Sequence, residues 1–357
     1  MKKKSKKFLK KSRDPHLDIP VTDRGDFPDF MRKEIFTQPQ LIEKLCEKYI
    51  WAEKIHFEHL KIKAEKIRRI YIASNACDYG AALSGAYNFE VLADIPCAAC
   101  LLSEFNFSNP ILDKNTLVIL ISASKDDMPC SQARIRAEKS GAKIVGIYNR
   151  EQESEDSLSL DFIENAAVST AAYTLRYTVL TLLALYIGEK NQVITELYIR
   201  IATKMLMSLN DKIKYILENE YLIRHISSKI SCENLVLTGT NVDLAAAGYA
   251  AYLFSFAFGR DVRAFAAGQI NSYPINKSNV IGLASNENFY AVLNDSVQCR
   301  VHIIPKSIPS KSGDFIDYDD SIPLFNPLLG SVVCQLMAYN IAKNNNTQLE
   351  QSKSGTG

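Results

Sequence analysis

Short apolar segments that alternate with helical ones constrain the fold of this chain more than any other feature of its sequence. We predict β-strands at 68–76, 97–105, 117–122, 144–149, 234–240, 262–267, 279–285 and 299–305. Helix-like segments separate most of these strands, and further helices are predicted at 170–188 and over much of 191–231. Strands that are apolar throughout are typical of parallel sheets covered by helices on both faces. The sequence therefore predicts an α/β protein with two similar units in tandem.

The chain divides into four predicted parts. They are a basic tail and linker at 1–34, a first α/β domain at 35–190, a second at 191–345 and a C-terminal tail at 346–357. Residues 1–13 carry eight basic side chains and no acid. A run of like charges is usually a solvated tail, so we predict no specific contact with nucleic acid. In the helical segment that opens the first domain, Pro39 is expected to interrupt the helix.

Composition excludes several functional classes. The longest apolar segment, at 177–188, is shorter than the roughly 18 residues that a membrane-spanning helix needs, so we predict a buried core helix and no membrane span. The tail lacks the apolar core of a signal peptide, and the eight cysteines are dispersed, which predicts a cytoplasmic protein with free thiols. Cys97 and Cys100 fall on one predicted strand and should face opposite sides of it. No metal and no cofactor are expected.

Four segments, in order along the chain, resemble a known family. They are DRGDFPDFMRKEIFTQP (23–39), LSEFNFSNPILDKNTLVILISAS (102–124), AFAAGQINSYP (264–274) and PLFNPLLGSVVCQLMAYNIA (323–342). All are similar to the SIS (sugar isomerase) family, and in particular to the isomerase half of glucosamine-6-phosphate synthase. The resemblance implies two tandem SIS domains of the flavodoxin-like, three-layer αβα kind, a homodimer and a sugar phosphate as ligand. It includes no part of the glutaminase half, so we expect no release of ammonia from glutamine within this chain.

Two of the segments that bind ligand in the family are altered here. Cys77 stands where the resemblance implies a phosphate-binding serine, and a thiol is a weaker hydrogen-bond donor than a hydroxyl. The segment ENAAVSTAAY (164–173) keeps Glu164, but a lysine of the family pattern has become Ala171. The resemblance implies that Ala167, in the same segment, contacts the ligand.

The loop SASKDD (122–127) is the most informative of the altered segments. Ser122 and Ser124 keep two hydroxyl donors, while Ala123 and Lys125 replace a glutamine and a glycine of the family pattern, and Asp127 replaces a phosphate-binding threonine. Two like charges about 4 Å apart cost roughly 4 kcal/mol at an effective dielectric constant of 20, so an acid here opposes phosphate binding. Lys125 would offset this cost if it folded inward. The alternative is that the acids at 126 and 127 only occupy the first turn of a helix, where acids are favoured.

Most of the proton-transfer groups that the family reaction needs are missing. Aligned without gaps from AFAAG, Phe256 falls at the catalytic glutamate and Leu253 at a lysine. The ring-opening histidine falls at Ser272, next to Gln269 in place of a glutamate. The resemblance leaves Lys353, near the C-terminus, as a catalytic candidate.

Three functions remain open. The first is a SIS protein that binds a sugar phosphate or an amino-sugar derivative without carrying out the family reaction. The second is a divergent isomerase or deglycase that uses Asp126, Asp127 or Glu164 as its base. The third is a scaffold that binds no ligand, in which Leu253 and Phe256 serve in packing.

Overall fold

Two consecutive α/β units make up the structure, a computed structural model that describes residues 23–150, 153–272, 279–293, 299–309 and 313–350. The strands of the first sheet are β3 (Arg69–Ser74), β4 (Cys97–Leu101), β5 (Thr116–Ser122), β6 (Lys143–Tyr148) and β7 (Ser157–Ser159). Those of the second are β8 (Val236–Gly239), β9 (Arg263–Ala266), β10 (Val280–Leu283), β11 (Cys299–Pro305) and β12 (Asp314–Tyr318). A short hairpin of β1 (Ile50–Trp51) and β2 (Lys54–Ile55) precedes both.

The two sheets have the same topology. The strand order is β4-β3-β5-β6-β7 in the first and β9-β8-β10-β11-β12 in the second. Every neighbouring pair in both sheets is parallel. The chain therefore repeats one folding plan, and the predicted α/β architecture of two tandem, mainly parallel sheets is confirmed.

Helices cover both faces of each sheet. In the first unit they are α1 (Phe30–Tyr49), α2 (Tyr79–Ala93), α3 (Leu102–Phe107), α4 (Met128–Lys139) and α5 (Ala171–Lys190). In the second they are α6 (Glu196–Met207), α7 (Leu209–Glu218), α8 (Glu220–Ser227), α9 (Val242–Phe258), α10 (Ala267–Ile270), α11 (Asn288–Val292) and α12 (Asn326–Asn344). One apolar core runs through both units, and smaller cores lie between the first sheet and α3–α4 and between the second sheet and α10–α11.

Helix α5 lies at the centre of the molecule. It is long and apolar enough to cross a membrane, but every residue of its most apolar 18-residue window is inside the fold. Because its side chains are buried on all sides, the helix needs no amphipathic pattern. The prediction of a buried core helix at 177–188 is confirmed.

The two units meet through helices and not through their sheets. The rings of Tyr173 on α5 and Tyr249 on α9 stack with their centroids 3.6 Å apart. The amide of Gln335 on α12 donates to the Tyr249 hydroxyl at 3.1 Å and to the Thr170 carbonyl at 3.1 Å, just before α5. This buried polar network fixes how the second unit sits against the first.

Some predicted elements need correction. Helix α1 continues through Pro39 without interruption. The segment predicted as one strand at 97–105 is β4 followed at once by α3. Strands β7 and β12 were not predicted, since one has three residues and the other carries two acids. Cys97 packs against the main core and Cys100 against the α3–α4 core, as predicted for opposite faces of a strand.

Candidate functional site

Three strand ends of the first sheet meet at one edge. Ser74 pairs with Ile121, and Ser122 pairs with Tyr148, so β3, β5 and β6 finish almost level with one another. Helices begin after each of the first two strands. An edge of this kind, outside the carboxyl ends of parallel strands, is where open α/β sheets bind ligands.

The carboxylate of Asp127 accepts hydrogen bonds from the loop after β5, to which it belongs. The buried hydroxyl of Ser122 donates to Asp127, and the backbone N–H of Ser124 donates to the same carboxylate at 3.3 Å. The Asn75 amide, from the end of β3, donates to the Ser122 oxygen at 3.3 Å. Donors that a bound anion would use are therefore already satisfied within the chain.

The acids of this loop precede helix α4 and do not belong to its first turn. The helix begins at Met128, and Asp127 is its N-cap residue, but its side chain makes no capping bond to the helix. Instead it turns back to the strand end. Asp126 and Lys125 are exposed, so Lys125 has not folded inward to neutralise Asp127.

A buried arginine joins the other polar groups at this edge. Arg176 on α5 has only 1% of its side chain exposed and forms an ion pair with Asp78. It also contacts Glu164 at 2.9 Å and donates to the Asn149 side-chain oxygen at 2.7 Å. The backbone N–H of Asn149 donates to the Ala123 carbonyl at 3.2 Å, which links this cluster to the loop after β5.

Burial sets the protonation of the groups beside Arg176. It raises the pKa of Asp78 to about 6, against the opposing effect of the guanidinium. It also raises the pKa of the Cys77 thiol to about 12, and the negative charge of Asp78 acts in the same direction. Cys77 is therefore a neutral thiol near pH 7, which can donate a weak hydrogen bond but is a poor nucleophile.

A buried glutamate on α1 holds the loop that precedes α5. Glu34 accepts hydrogen bonds from the backbone N–H groups of Asn165 at 2.8 Å and Ala166 at 2.9 Å, and from the Thr170 hydroxyl at 3.1 Å. Burial raises the pKa of Glu34 to about 7. This carboxylate therefore fixes the loop that carries Glu164 and Ala167.

The C-terminal segment meets the same loop. The N–H of Ala167 donates to the Leu349 carbonyl at 3.1 Å, and Ala166 forms an isolated bridge with Glu350. Glu350 is the last described residue, so Lys353 lies outside the described part of the chain. Ala167 is thus held by backbone contact with the C-terminal segment, and its contact with a ligand stays a prediction.

The residues aligned with the family's proton-transfer groups take part in core packing and in local hydrogen bonds. Leu253 is fully buried, and the partly buried Phe256 packs against the main core. The side chain of Gln269 accepts a hydrogen bond from the Ala266 N–H, and its carbonyl accepts one from the Ser272 N–H. None of these contacts supplies a group for proton transfer at the edge of the first sheet.

Part of this site was predictable from the sequence and part was not. Ser122, Ser124 and Asp127 come together as one cluster, and Glu164 lies in the adjoining one. Four participants were missed: Glu34, Asp78, Asn149 and Arg176. Arg176 carried a usable signal, because it is the one charged residue inside the apolar run of α5 before Glu189.

Comparisons with known proteins relate this chain to a known domain family. Residues 64–186 match the SIS domain family. A glutamine–fructose-6-phosphate aminotransferase from Clostridium tetani is 28% identical over 285 residues, which cover 76% of this chain and 47% of that protein. The enzyme of the same name from Thermus thermophilus is 25% identical over 346 residues, covering 91% and 57%. The chain thus spans about half the length of these relatives.

Solved structures share the fold across nearly the whole chain. The C-terminal domain of glucosamine-fructose-6-phosphate aminotransferase from Francisella tularensis superimposes with a TM-score of 0.85 at 19% identity, covering 92% of this chain and 99% of that one. A glucosamine-6-phosphate deaminase from Thermotoga maritima gives a TM-score of 0.68 at 16% identity, covering 91% and 98%. At these identities the likeness concerns the fold alone.

Proposed function

We propose that this chain is a SIS-family protein related to the isomerase half of glutamine–fructose-6-phosphate aminotransferase, and that it binds a sugar derivative at the carboxyl edge of its first sheet. The position supports this proposal, because strand ends and helix starts meet there. The polar side chains near this edge suit a small polar ligand: they are Asn75, Cys77, Ser124, Asp127, Asn149 and Glu164.

The contact between Ser122 and Asp127 carries the proposal about the ligand. A phosphate entering the loop after β5 would have to displace this carboxylate or lie against it, and both cost free energy. An ammonium group would instead be attracted, because Asp127 and Glu164 are partly exposed acids and the buried cation Arg176 is already paired with Asp78. The geometry therefore favours an amino-sugar derivative over a sugar phosphate.

The parent isomerisation is not part of this proposal. Moving a proton between two sugar carbons requires a positioned acid or base. The side chains of Leu253 and Phe256 have no group that accepts a proton. The proposed role is binding without turnover, in sensing or in assembly.

A divergent isomerase or deglycase is the second candidate. Glu164 supports it, since this carboxylate lies beside the loop after β5 and is not fully buried. A scaffold without ligand is the third, supported by the packing of Leu253 and Phe256 in the core.

The remaining parts of the proposal come from the resemblance and the composition. We propose a homodimer in the cytoplasm, a tail and linker at 1–34, domains at 35–190 and 191–345, and a C-terminal tail at 346–357.

Calorimetric titration of the native protein with glucosamine, glucosamine 6-phosphate, fructose 6-phosphate and glucose tests the proposal. NMR of the same mixtures detects any conversion of the sugar. We expect saturable binding of glucosamine and no conversion. Conversion of any of these sugars would favour the second candidate, and no binding of any of them would favour the scaffold.

A further inference from the structure

Helix α9 brings the second unit directly against the candidate site. A Cβ atom placed on Gly80, at the start of α2, would lie 2.7 Å from the Cβ of Tyr249. The hydroxyl of Tyr249 donates to the Ser169 carbonyl at 2.8 Å, in the loop that also carries Glu164 and Ala167. The middle of α9 therefore touches two of the elements that surround the edge of the first sheet.

Tyr252 follows on the same side of α9. Residues three apart in a helix are neighbours on its surface, so Tyr252 lies one turn beyond the Tyr249 contact. Burial raises the pKa of its hydroxyl, and the Cys77 thiol and the acids Asp78 and Glu164 act in the same direction. The contacts of α9 with Gly80, which follows Asp78, and with Ser169, in the loop of Glu164, turn this side of the helix toward the cluster around Arg176, although Tyr252 belongs to the other unit.

The exposure of Tyr252 distinguishes it from the residues around it. Leu253 and Phe254 are fully buried in the core, whereas Tyr252 is 41% exposed. The core does not require its ring. An aromatic surface left open beside several carboxylates has the two features that small-molecule sites combine, an apolar wall and a few polar groups that fix orientation.

A sugar ring matches such a surface. One face of a pyranose presents C–H groups, which pack on an aromatic ring, while its hydroxyl and amino groups point outward from the rim. With the ring on Tyr252, the rim would meet the acids at the edge of the first sheet. The site would then need residues from both units.

We propose that Tyr252 is the binding surface on which the sugar ring of the ligand stacks in its pyranose form. This inference rests on the proposed function, and it assigns to the second unit a ligand contact in place of the acid–base groups that Leu253 and Phe256 have replaced.

The test compares the affinity of glucosamine for the native protein, Tyr252→Ala, Tyr252→Phe and Tyr221→Ala, by calorimetry. Tyr221 lies on α8 and is 82% exposed, so Tyr221→Ala controls for the loss of an exposed tyrosine. We expect Tyr252→Ala to weaken binding about tenfold, and Tyr252→Phe to stay within about threefold of native, because the ring and not the hydroxyl provides the surface. Tyr221→Ala should bind as the native protein does.

Three other results of these titrations would overturn the stacking role of Tyr252. Equal affinity of native protein and Tyr252→Ala would overturn the stacking role while leaving the proposed function intact. Loss of affinity accompanied by a changed sedimentation coefficient or a lower Tm would also overturn it, since Tyr252 would then act in assembly or folding. If the native protein bound no sugar, the proposed function would fail, and the stacking role with it.

Discussion

Arg176 shows how a single buried charge shapes this site. Its guanidinium has partners just after β6, on the loop before α5 and at the start of α2, namely Asn149, Glu164 and Asp78. A buried ion pair adds little to stability in total, because desolvation offsets its attraction. Removing one partner lowers the stability strongly, because the charge of the other partner is then left buried and unpaired.

The first prediction concerns this pair. Arg176→Met leaves Asp78 buried without its cation and should lower the free energy of unfolding by about 3–5 kcal/mol. The double variant Asp78→Asn with Arg176→Met should recover a large part of that loss. Urea denaturation of the three proteins measures both values, and equal stability of the single and double variants would contradict the account.

At the residue scale, the sequence predicted charges better than contacts. The conflict between Asp127 and a phosphate follows from its charge alone. Its carboxylate accepts hydrogen bonds from Ser122 and Ser124. These contacts depend on how the chain turns before α4, and no local sequence pattern specifies that turn. The partners of Arg176 are distant in sequence, so only the fold brings them together.

At the element scale, close contact between α2 and α9 joins the two units. Gly80 allows it because any side chain would press on Tyr249. Gly248, on an exposed side of α9, has no atom within 4 Å of where a Cβ would lie. These two helical glycines can therefore be compared, one at a close contact between helices and one facing open space.

The second prediction is that Ala substitutions at these glycines act in opposite directions. Gly80→Ala should destabilise the protein by about 1–3 kcal/mol, since it forces the helices apart. Gly248→Ala should stabilise it by up to about 1 kcal/mol, because alanine has the higher helix propensity. Thermal and urea unfolding measure both, and a stabilising Gly80→Ala would show that the helices do not pack as described.

The third prediction concerns pH and the contact of α1 with the loop before α5. The pKa of Glu34 is raised from 4.5 to about 7. The folded protein then holds a proton that the unfolded chain releases above about pH 4.5, so this group's contribution to stability is complete below that pH and is lost as pH rises through 7. Glu34→Gln should flatten the fall in stability between pH 5 and 8, by up to about 3 kcal/mol.

Glu47→Gln is the control for that measurement. Glu47 is exposed on the same helix, so its variant should keep the native pH profile. Unfolding free energies at several pH values compare the three proteins. An unchanged profile for Glu34→Gln would mean that Glu34 does not hold the loop as a protonated or titrating group.

The type of most elements was predictable, and several boundaries were not. Apolar runs such as 117–122 identify central strands because both faces of a parallel sheet are covered. Helix α1 continues through Pro39 because burial of residues on both sides of it, such as Ile35 and Ile42, outweighs the local penalty. Strand β7 depends on its neighbour β6, and its three residues leave no periodic signal.

At the scale of the whole molecule, the repeat and its asymmetry both matter. The two sheets share one strand order, and the alternation of segments predicted this repeat. Yet the candidate site lies at the edge of the first sheet only, and α9 of the second unit completes its surroundings. The resemblance placed Leu253 and Phe256 of α9 at catalytic positions, but the contacts that bring α9 here depend on how the units pack, through residues such as Gln335 and Tyr249.

The central claim is that Asp127 occupies the place of a ligand anion in its own chain. Titration of glucosamine and glucosamine 6-phosphate into the native protein, Asp127→Thr and Asp126→Thr tests it most directly. Asp126→Thr removes the same charge from an exposed neighbour without opening the loop. We predict that native protein and Asp126→Thr prefer glucosamine, and that Asp127→Thr binds glucosamine 6-phosphate about tenfold or more tightly than they do. Tighter binding of the phosphorylated sugar by the native protein, or the same gain in Asp126→Thr, would contradict the account.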